Sequence, residues 1–387
     1  MITETLAIVA ALLAVIFLSL QLVERYAWAR RASPVMLIIF LAALLSNVGI
    51  IPTEAPIYGA LIGFAVPFAV CVILFTVDLG DVVKAGRPML MAFLLAAIGS
   101  AAGVLLATVL LAPFLGDVLG ESAWKIAGPY TGTYIGGSLN FFAMWTGLEI
   151  DNPDLLAAAN AVDNLTLFPL YALWMFLPTV LAGRWIVARR WAVASEGDHA
   201  HAASDDRPSL IPTHVATIAA LAVAIMAVSQ WLKTSLIDSL MPGLPSIVIV
   251  TTLALIVAQS RWVRQLQGAR QMGDMAFYLF FAAVGALINF YQAVVLSPVL
   301  FAYVIIVMAV HFAFLYTMGW LLKMDIGVLT IASVATKAGP ALVPPIAESK
   351  DWHHLLLPGI VLGMLGYAVG NYAGLAVAHA ARMLIGG

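Results

Sequence analysis

Charge is what this sequence has least of: only 10% of its 387 residues are Asp, Glu, Lys or Arg, against about 25% in a soluble globular domain. With 18 Lys and Arg against 20 Asp and Glu, the formal net charge is −2, so there is no basic surplus to neutralise a phosphate backbone. No nucleic-acid-binding motif occurs either, and nucleic acid is excluded as a partner. The single cysteine, Cys71, lies in an apolar run. That excludes an internal disulfide and a multi-cysteine metal site, and leaves the redox compartment open. Neither GxxxxGK[ST] nor GxSxG nor HExxH is present, so nothing supports an ATP-driven pump, a serine hydrolase or a zinc peptidase. The chain is not expected to be an enzyme or to carry a cofactor or metal.

What the chain has instead is apolar length. It is 63% hydrophobic with a mean hydropathy of +1.03, and apolar stretches recur from end to end. About 20 residues of helix cross a bilayer's hydrocarbon core, so the lipid bilayer is the obligatory partner. The N-terminus lacks a basic region and a small-residue cleavage site before its apolar run, so it is expected to stay as the first helix. Spans are expected near 5–23, 35–50, 57–76, 89–112, 124–147, 155–182, 212–232, 243–258, 274–292, 299–322, 326–346 and 355–384. The predicted fold class is an all-α polytopic membrane protein with about 11–13 transmembrane helices, set in the plasma membrane (a bacterial inner membrane).

The one long polar stretch, 184–210, holds Arg184, Arg189, Arg190, His199 and His201 and divides the chain into halves, 1–183 and 211–387. The halves look alike. GTYIGGSLNFFAMWTGLEIDNPDLLAAANAVDN can be laid over ASVATKAGPALVPPIAESKDWHHLLLPGIVLGMLG at an offset of about 200, matching Gly137 to Gly339 and Leu155 to Leu355. Each half thus carries one discontinuous segment, near 124–147 and near 326–346. Paired discontinuous helices in two repeats mark midplane binding sites in transporters. One conflict arises: twelve simple crossings put Arg25, Arg30, Arg31, Lys84 and Arg87 opposite Arg184, Arg189, Arg190, Arg261, Arg264 and Arg270. This offends the positive-inside rule and leaves the repeats parallel instead of inverted. One change of parity within about 113–212, such as a re-entrant segment, would cure both.

Several residues could carry chemistry. In GPYTGTYIGGSLNFFAMW, Gly136 and Gly137 sit among Thr131, Thr133, Ser138 and Asn140. Unwinding there would free amides and carbonyls for a solute or ion, while the alternative is a small-residue packing seam. In IASVATKAGPALVPPIAE, Gly339 and Pro340 interrupt the helix beside Thr336 and Lys337, making Lys337 a mid-membrane cation. Asp163, followed by Asn164, is the clearest intramembrane acid. It could carry a proton or cation, or pair with Lys337 to tie the halves together, and spacing does not decide. Asn371 could line the site or bond between helices, and His311 could join a proton path or be a buried, hydrogen-bonded histidine. Asp78 and Asp81 suit a solvated span end. Glu348, Asp351, His353 and His354 form a turn cluster without a recognisable metal motif.

The motifs GTYIGGSLNFFAMWTGL, AAANAVDN, DMAFYLFFAAVGA, the turn KDW and LLLPGIVLGMLGYAVGNYAGLAVA resemble the YjcL-like integral membrane family, domain of unknown function 819. The resemblance runs from residue 33 to the final helix. In organisation that family is similar to bile-acid/sodium symporters and cation/proton antiporters, whose broken helices cross within a mobile transport domain. The resemblance implies an elevator-type secondary transporter coupled to protons or sodium, with a cation/proton antiporter as the alternative; the substrate is not inherited from it, and a small anionic or zwitterionic solute is expected because Lys337 and half-helix N-termini attract negative charge. An intramembrane enzyme or sensor subunit is the third reading, and a homodimer is compatible with the architecture. By position the antiporters' acidic pair falls on Asp163, although this sequence has Asp-Asn. Where Asn-x-Gly-Gly-Pro is expected, it has Thr336-Lys337-Ala338-Gly339-Pro340, which weakens sodium dependence and favours protons.

Overall fold

A computed structural model describes residues 4–27, 29, 34–182, 211–241 and 244–386; the polar stretch 184–210 with its arginines and His199 and His201, and Arg30 and Arg31, lie outside them. Among the described residues every regular element is a helix. The first half holds α1 (Thr5–Arg25), α2 (Pro34–Asn47), α3 (Pro56–Leu74), α4 (Arg87–Leu119), α5 (Ala127–Gly136), α6 (Ser138–Gly147) and α7 (Pro153–Ala182). The second holds α8 (Pro212–Leu232), α9 (Ser246–Ala258), α10 (Ala269–Leu287), α11 (Phe290–Leu322), α12 (Ile326–Ala338), α13 (Val343–Ser349) and α14 (His353–Ile385). Lengths return in order: α1 and α8 have 21 residues each, α3 and α10 have 19, and α4 and α11 have 33. Proline opens α3 and α8, where a missing N–H costs nothing, and the Asp325 carboxylate caps α12 by accepting from the amides of Gly327 and Val328.

Among the described residues, eight helical stretches are long and apolar enough to cross a membrane. Phe17, Phe176, Val180, Trp231 and Ile305 are exposed, while Ser100, Thr133, Asn140, Asp163, His311 and Lys337 are buried. This arrangement inverts that of a soluble protein. It suits hydrocarbon, where apolar surface needs no cover and polar groups must be satisfied from within. The chain is a multi-pass, all-α membrane protein.

Both glycine-broken segments turn back on themselves. A Cβ built on Gly132 would stand 2.8 Å from the Asn140 carbonyl oxygen, whereas a straight helix would hold these positions about 12 Å apart. Gly128, at the start of α5, faces Met144 and Leu148 at the end of α6, so the two are antiparallel arms of one hairpin. In the second half Ile331 of α12 and Val343 of α13 both lie against Gly359, and Trp352 returns beside Gly327. The turns are made by Gly137 (φ 72°, ψ −178°) and Gly339 (φ 67°, ψ −165°), the two glycines that the sequence aligns. Only glycine readily adopts that backbone region. The segments near 124–147 and 326–346, expected to cross, therefore enter and leave by the same end. The approximately twelve expected crossings are thus too many by these two segments, and among the described residues α2 and α9 are apolar helices shorter than a full span.

A stripe of glycines along α14 makes room for both hairpins. Gly359 and Gly363 face the second hairpin, and Gly366, Gly370 and Gly374 face the first. Any Cβ there would meet backbone or a packed side chain. The helices sort into two groups: α1–α3 pack with α8–α10, and α4–α7 pack with α11–α14.

The re-entrant first hairpin supplies the change of parity that the basic residues demanded. One end of the bundle joins Lys125 to Glu149, Trp124 to His379 and Arg382, and the Asn289 amide to Asp154. The opposite end joins Arg264 to Asp78 and Lys350 to Thr179, and by alternation of the crossings it also holds Arg25, Arg87, Arg261, Arg270 and Lys323. The positive-inside rule makes this arginine-rich end cytoplasmic. Alkaline phosphatase fused to the C-terminus is therefore expected to be active, and green fluorescent protein fused there dark. The opposite pair of signals would refute the hairpin parity.

Candidate functional site

The two hairpin tips meet halfway along α14. A Cβ on Gly137 would lie 3.8 Å from the Gly339 amide nitrogen, and Tyr367 fills the angle between the tips, its ring 3.6 Å from the Cβ position of Gly137 and its hydroxyl 3.0 Å from that of Gly339. Beside this junction, Lys337 in the last turn of α12 donates from Nζ to Asp163 Oδ1 of α7 at 2.5 Å, with both residues buried. The ammonium also lies over the Tyr134 ring, 4.2 Å from its centroid, and Thr133 Oγ1 donates to Asp163 Oδ2 at 3.4 Å. One ion pair thus joins both hairpins, through α5 and α12, to α7. A cation at a helix C-terminus is favoured by the helix dipole, and an aromatic face adds attraction where water is absent.

Of the residues singled out in the sequence, Thr133, Asp163 and Lys337 come together, and Gly136, Gly137, Gly339 and Pro340 form the touching tips. Ser138 is exposed at the tip of the first hairpin. Asn140 is a strut: its Nδ2 donates to the Gly136 carbonyl at 3.2 Å and to the Gly366 carbonyl at 3.1 Å, fastening α6 to α5 and α14. Three others point elsewhere. Asn164 bonds back to Asn160 on its own helix, Thr336 Oγ1 donates to the Ser333 carbonyl, and Asn371 Nδ2 donates to Thr251 of α9. Asn371 is therefore the interhelical bond that was its alternative reading. Asp78 pairs with Arg264, and no cluster able to hold a metal ion exists among the described residues.

A second polar chain runs behind the tips and depends on His311 of α11. Ser100 Oγ of α4 donates to the Tyr134 carbonyl (3.1 Å) and lies 2.9 Å from His311 Nδ1, while His311 Nε2 lies 2.8 Å from Ser333 Oγ, which accepts from Trp174 Nε1 at 3.0 Å. A neutral imidazole with its proton on Nδ1 satisfies every link, with Ser333 donating to Nε2. This histidine is a hydrogen-bonded brace between the two hairpins. Tyr134, Tyr367, Ser100, Ser333 and Trp174 were not read as functional from the sequence. Their only signal was polar or aromatic character inside apolar runs, which is common to many residues that face lipid.

These features define a helical membrane protein in which two glycine-tipped hairpins meet at a buried ion pair. The chain matches the family model described as "Protein of unknown function (DUF819)" over residues 7–384, and it belongs to that family. It is 28% identical over 375 residues to "Uncharacterized membrane protein YjcL" of Bacillus subtilis (strain 168), covering 92% of this chain and 91% of that protein.

Removing one partner of a buried ion pair costs about 3–5 kcal/mol, because the other charge is left uncompensated. Asp163→Asn and Lys337→Met are each expected to lower the midpoint of thermal unfolding. The double variant should lie above both, since it removes the stranded charge. Additive losses, measured in one detergent, would show that the two groups do not depend on each other.

Proposed function

We propose that the protein is a secondary transporter of a small anionic or zwitterionic solute, coupled to protons. The observation that carries this reading is the Asp163–Lys337 pair buried where two re-entrant tips meet. A polar, irregular backbone at mid-depth is tolerated only where protein or a water-filled cavity covers it, and intramembrane ion pairs are typical of transport pathways. A proton delivered to Asp163 removes the charge that holds Lys337. Solute or proton binding can thereby change how tightly α12 is tied to α7. Lys337 already occupies the place of a bound cation, which favours protons over sodium as the coupling ion.

The repeated element order, the matched helix lengths and the shared conformation of Gly137 and Gly339 support two inverted repeats, with one hairpin entering from each end. The two helix groups support an elevator-like division, in which α4–α7 with α11–α14 move against α1–α3 with α8–α10. The broken segments differ from the crossing helices of the symporters and antiporters named above, because each is a hairpin. The likeness is therefore one of organisation.

Thermal unfolding of the purified full-length protein, from pH 5 to 8.5, against carboxylates, amino acids, short peptides, sodium and lithium tests the reading. Binding to the native state alone raises stability, by about 2.7 kcal/mol at a hundredfold excess over Kd. An organic solute is expected to stabilise the wild type and to lose most of that effect with Asp163→Asn. A response to cations alone, abolished by Asp163→Asn, would replace this reading with a cation/proton antiporter.

A further inference from the structure

Resting on the elevator-like division, we propose that Asn371 and Tyr372 of α14, with Thr251 and Thr252 of α9, form a latch that fixes the hairpin tips at one depth against the other helix group. Two consecutive residues of one helix face two consecutive residues of the other. Thr251 Oγ1 donates to the Ile247 carbonyl at 2.7 Å and accepts from Asn371 Nδ2 at 2.9 Å. Thr252 Oγ1 donates to the Val248 carbonyl at 2.8 Å, so the Tyr372 hydroxyl is the donor in the 2.8 Å bond between them. Both bonds thus run in the same sense, from α14 to α9, and both cross between the two helix groups.

The two bonds exist at one register only. The sequence of α9 is SIVIVTTLALIVA, so after Ser246 at its start Thr251 and Thr252 are its only polar side chains. A shift of α14 by one helical turn, about 5.4 Å, would set Asn371 and Tyr372 against aliphatic residues, Ile247 and Val248 on one side or Leu255 and Ile256 on the other. Neighbouring contacts between the groups lack this register: Phe142 of α6 packs on Phe280 and Phe281 of α10, and Ile247 lies against Gly147. An apolar contact changes gradually as helices slide, whereas a hydrogen bond is lost unless a new partner is met. Because α14 carries both tips on its glycine face, holding α14 against α9 holds the tips. The latch is also able to open. Asn371 is fully buried, yet its Oδ1 has no hydrogen-bond partner in the protein, and this unpaired acceptor offsets part of what the two bonds contribute.

The test needs no known substrate. Nitroxide labels on Glu121→Cys and Ser239→Cys, in a Cys71→Ala background, report one group each: both positions are exposed, the first just after α4 and the second just after α8. Double electron–electron resonance on the full-length protein in nanodiscs reads how the population divides between the label distance of this structure and a second one. An interhelical hydrogen bond in a membrane protein shifts an equilibrium about threefold, so loss of two should shift this ratio about tenfold. Thr251→Val with Thr252→Val is expected to raise the second population by that factor, and Thr251→Ser with Thr252→Ser, which keeps both hydroxyls, to stay near the wild-type ratio. Asn371→Leu with Tyr372→Phe removes the donors instead; it should match the valine variant and serves if that variant does not fold. A ratio unchanged when the bonds are removed overturns the latch. Lowering the pH from 8.5 to 5 in the same samples separates the two readings. A ratio that follows pH but ignores the latch variants leaves two moving groups without this latch, whereas a single distance under every condition overturns both the latch and the elevator-like division.

Discussion

A single ion pair, Asp163 with Lys337, sets the terms for the centre of this molecule. Two opposite charges held away from water are stable only together, and each needs further polar contacts to offset its desolvation. Thr133 and the Tyr134 ring supply those contacts, and both belong to the first hairpin. The pair therefore requires α5, α7 and α12 to converge at one depth, which happens only if both hairpins stop in the middle of the bundle. Glycine at 137 and 339 permits the reversal, and the glycine stripe of α14 provides the space. The brace through Ser100, His311 and Ser333 holds the same two hairpins from behind.

Much of this was legible in the sequence. The membrane class followed from the scarcity of charge, and the pairing of Gly137 with Gly339 followed from aligning the halves. The mid-membrane placement of Lys337 and Asp163 followed from their positions within apolar runs. The distribution of arginines also carried real topological information: it demanded a change of parity within about 113–212, where the first hairpin lies.

Other features were not legible, for identifiable reasons. A helix broken by glycine and a hairpin tipped by glycine have the same composition and similar length, so the pattern at 124–147 could not say whether the chain crosses or returns. Only contacts such as Gly128 with Leu148 separate the two. Asn140, Asn164 and Asn371 are polar residues in similar company, yet one fastens a hairpin, one bonds its own helix and one reaches α9. Which way each faces depends on helix rotation, and a largely apolar helix has no solvent side to fix that rotation.

The central claim is that the buried pair organises both tips at once. Amide hydrogen exchange of the full-length protein in nanodiscs, comparing the wild type with Lys337→Met, tests it most directly. The account predicts that protection falls at 133–138 and at 335–341 together, while α1–α3 are unaffected. Protection lost at only one tip, or at neither, would contradict it.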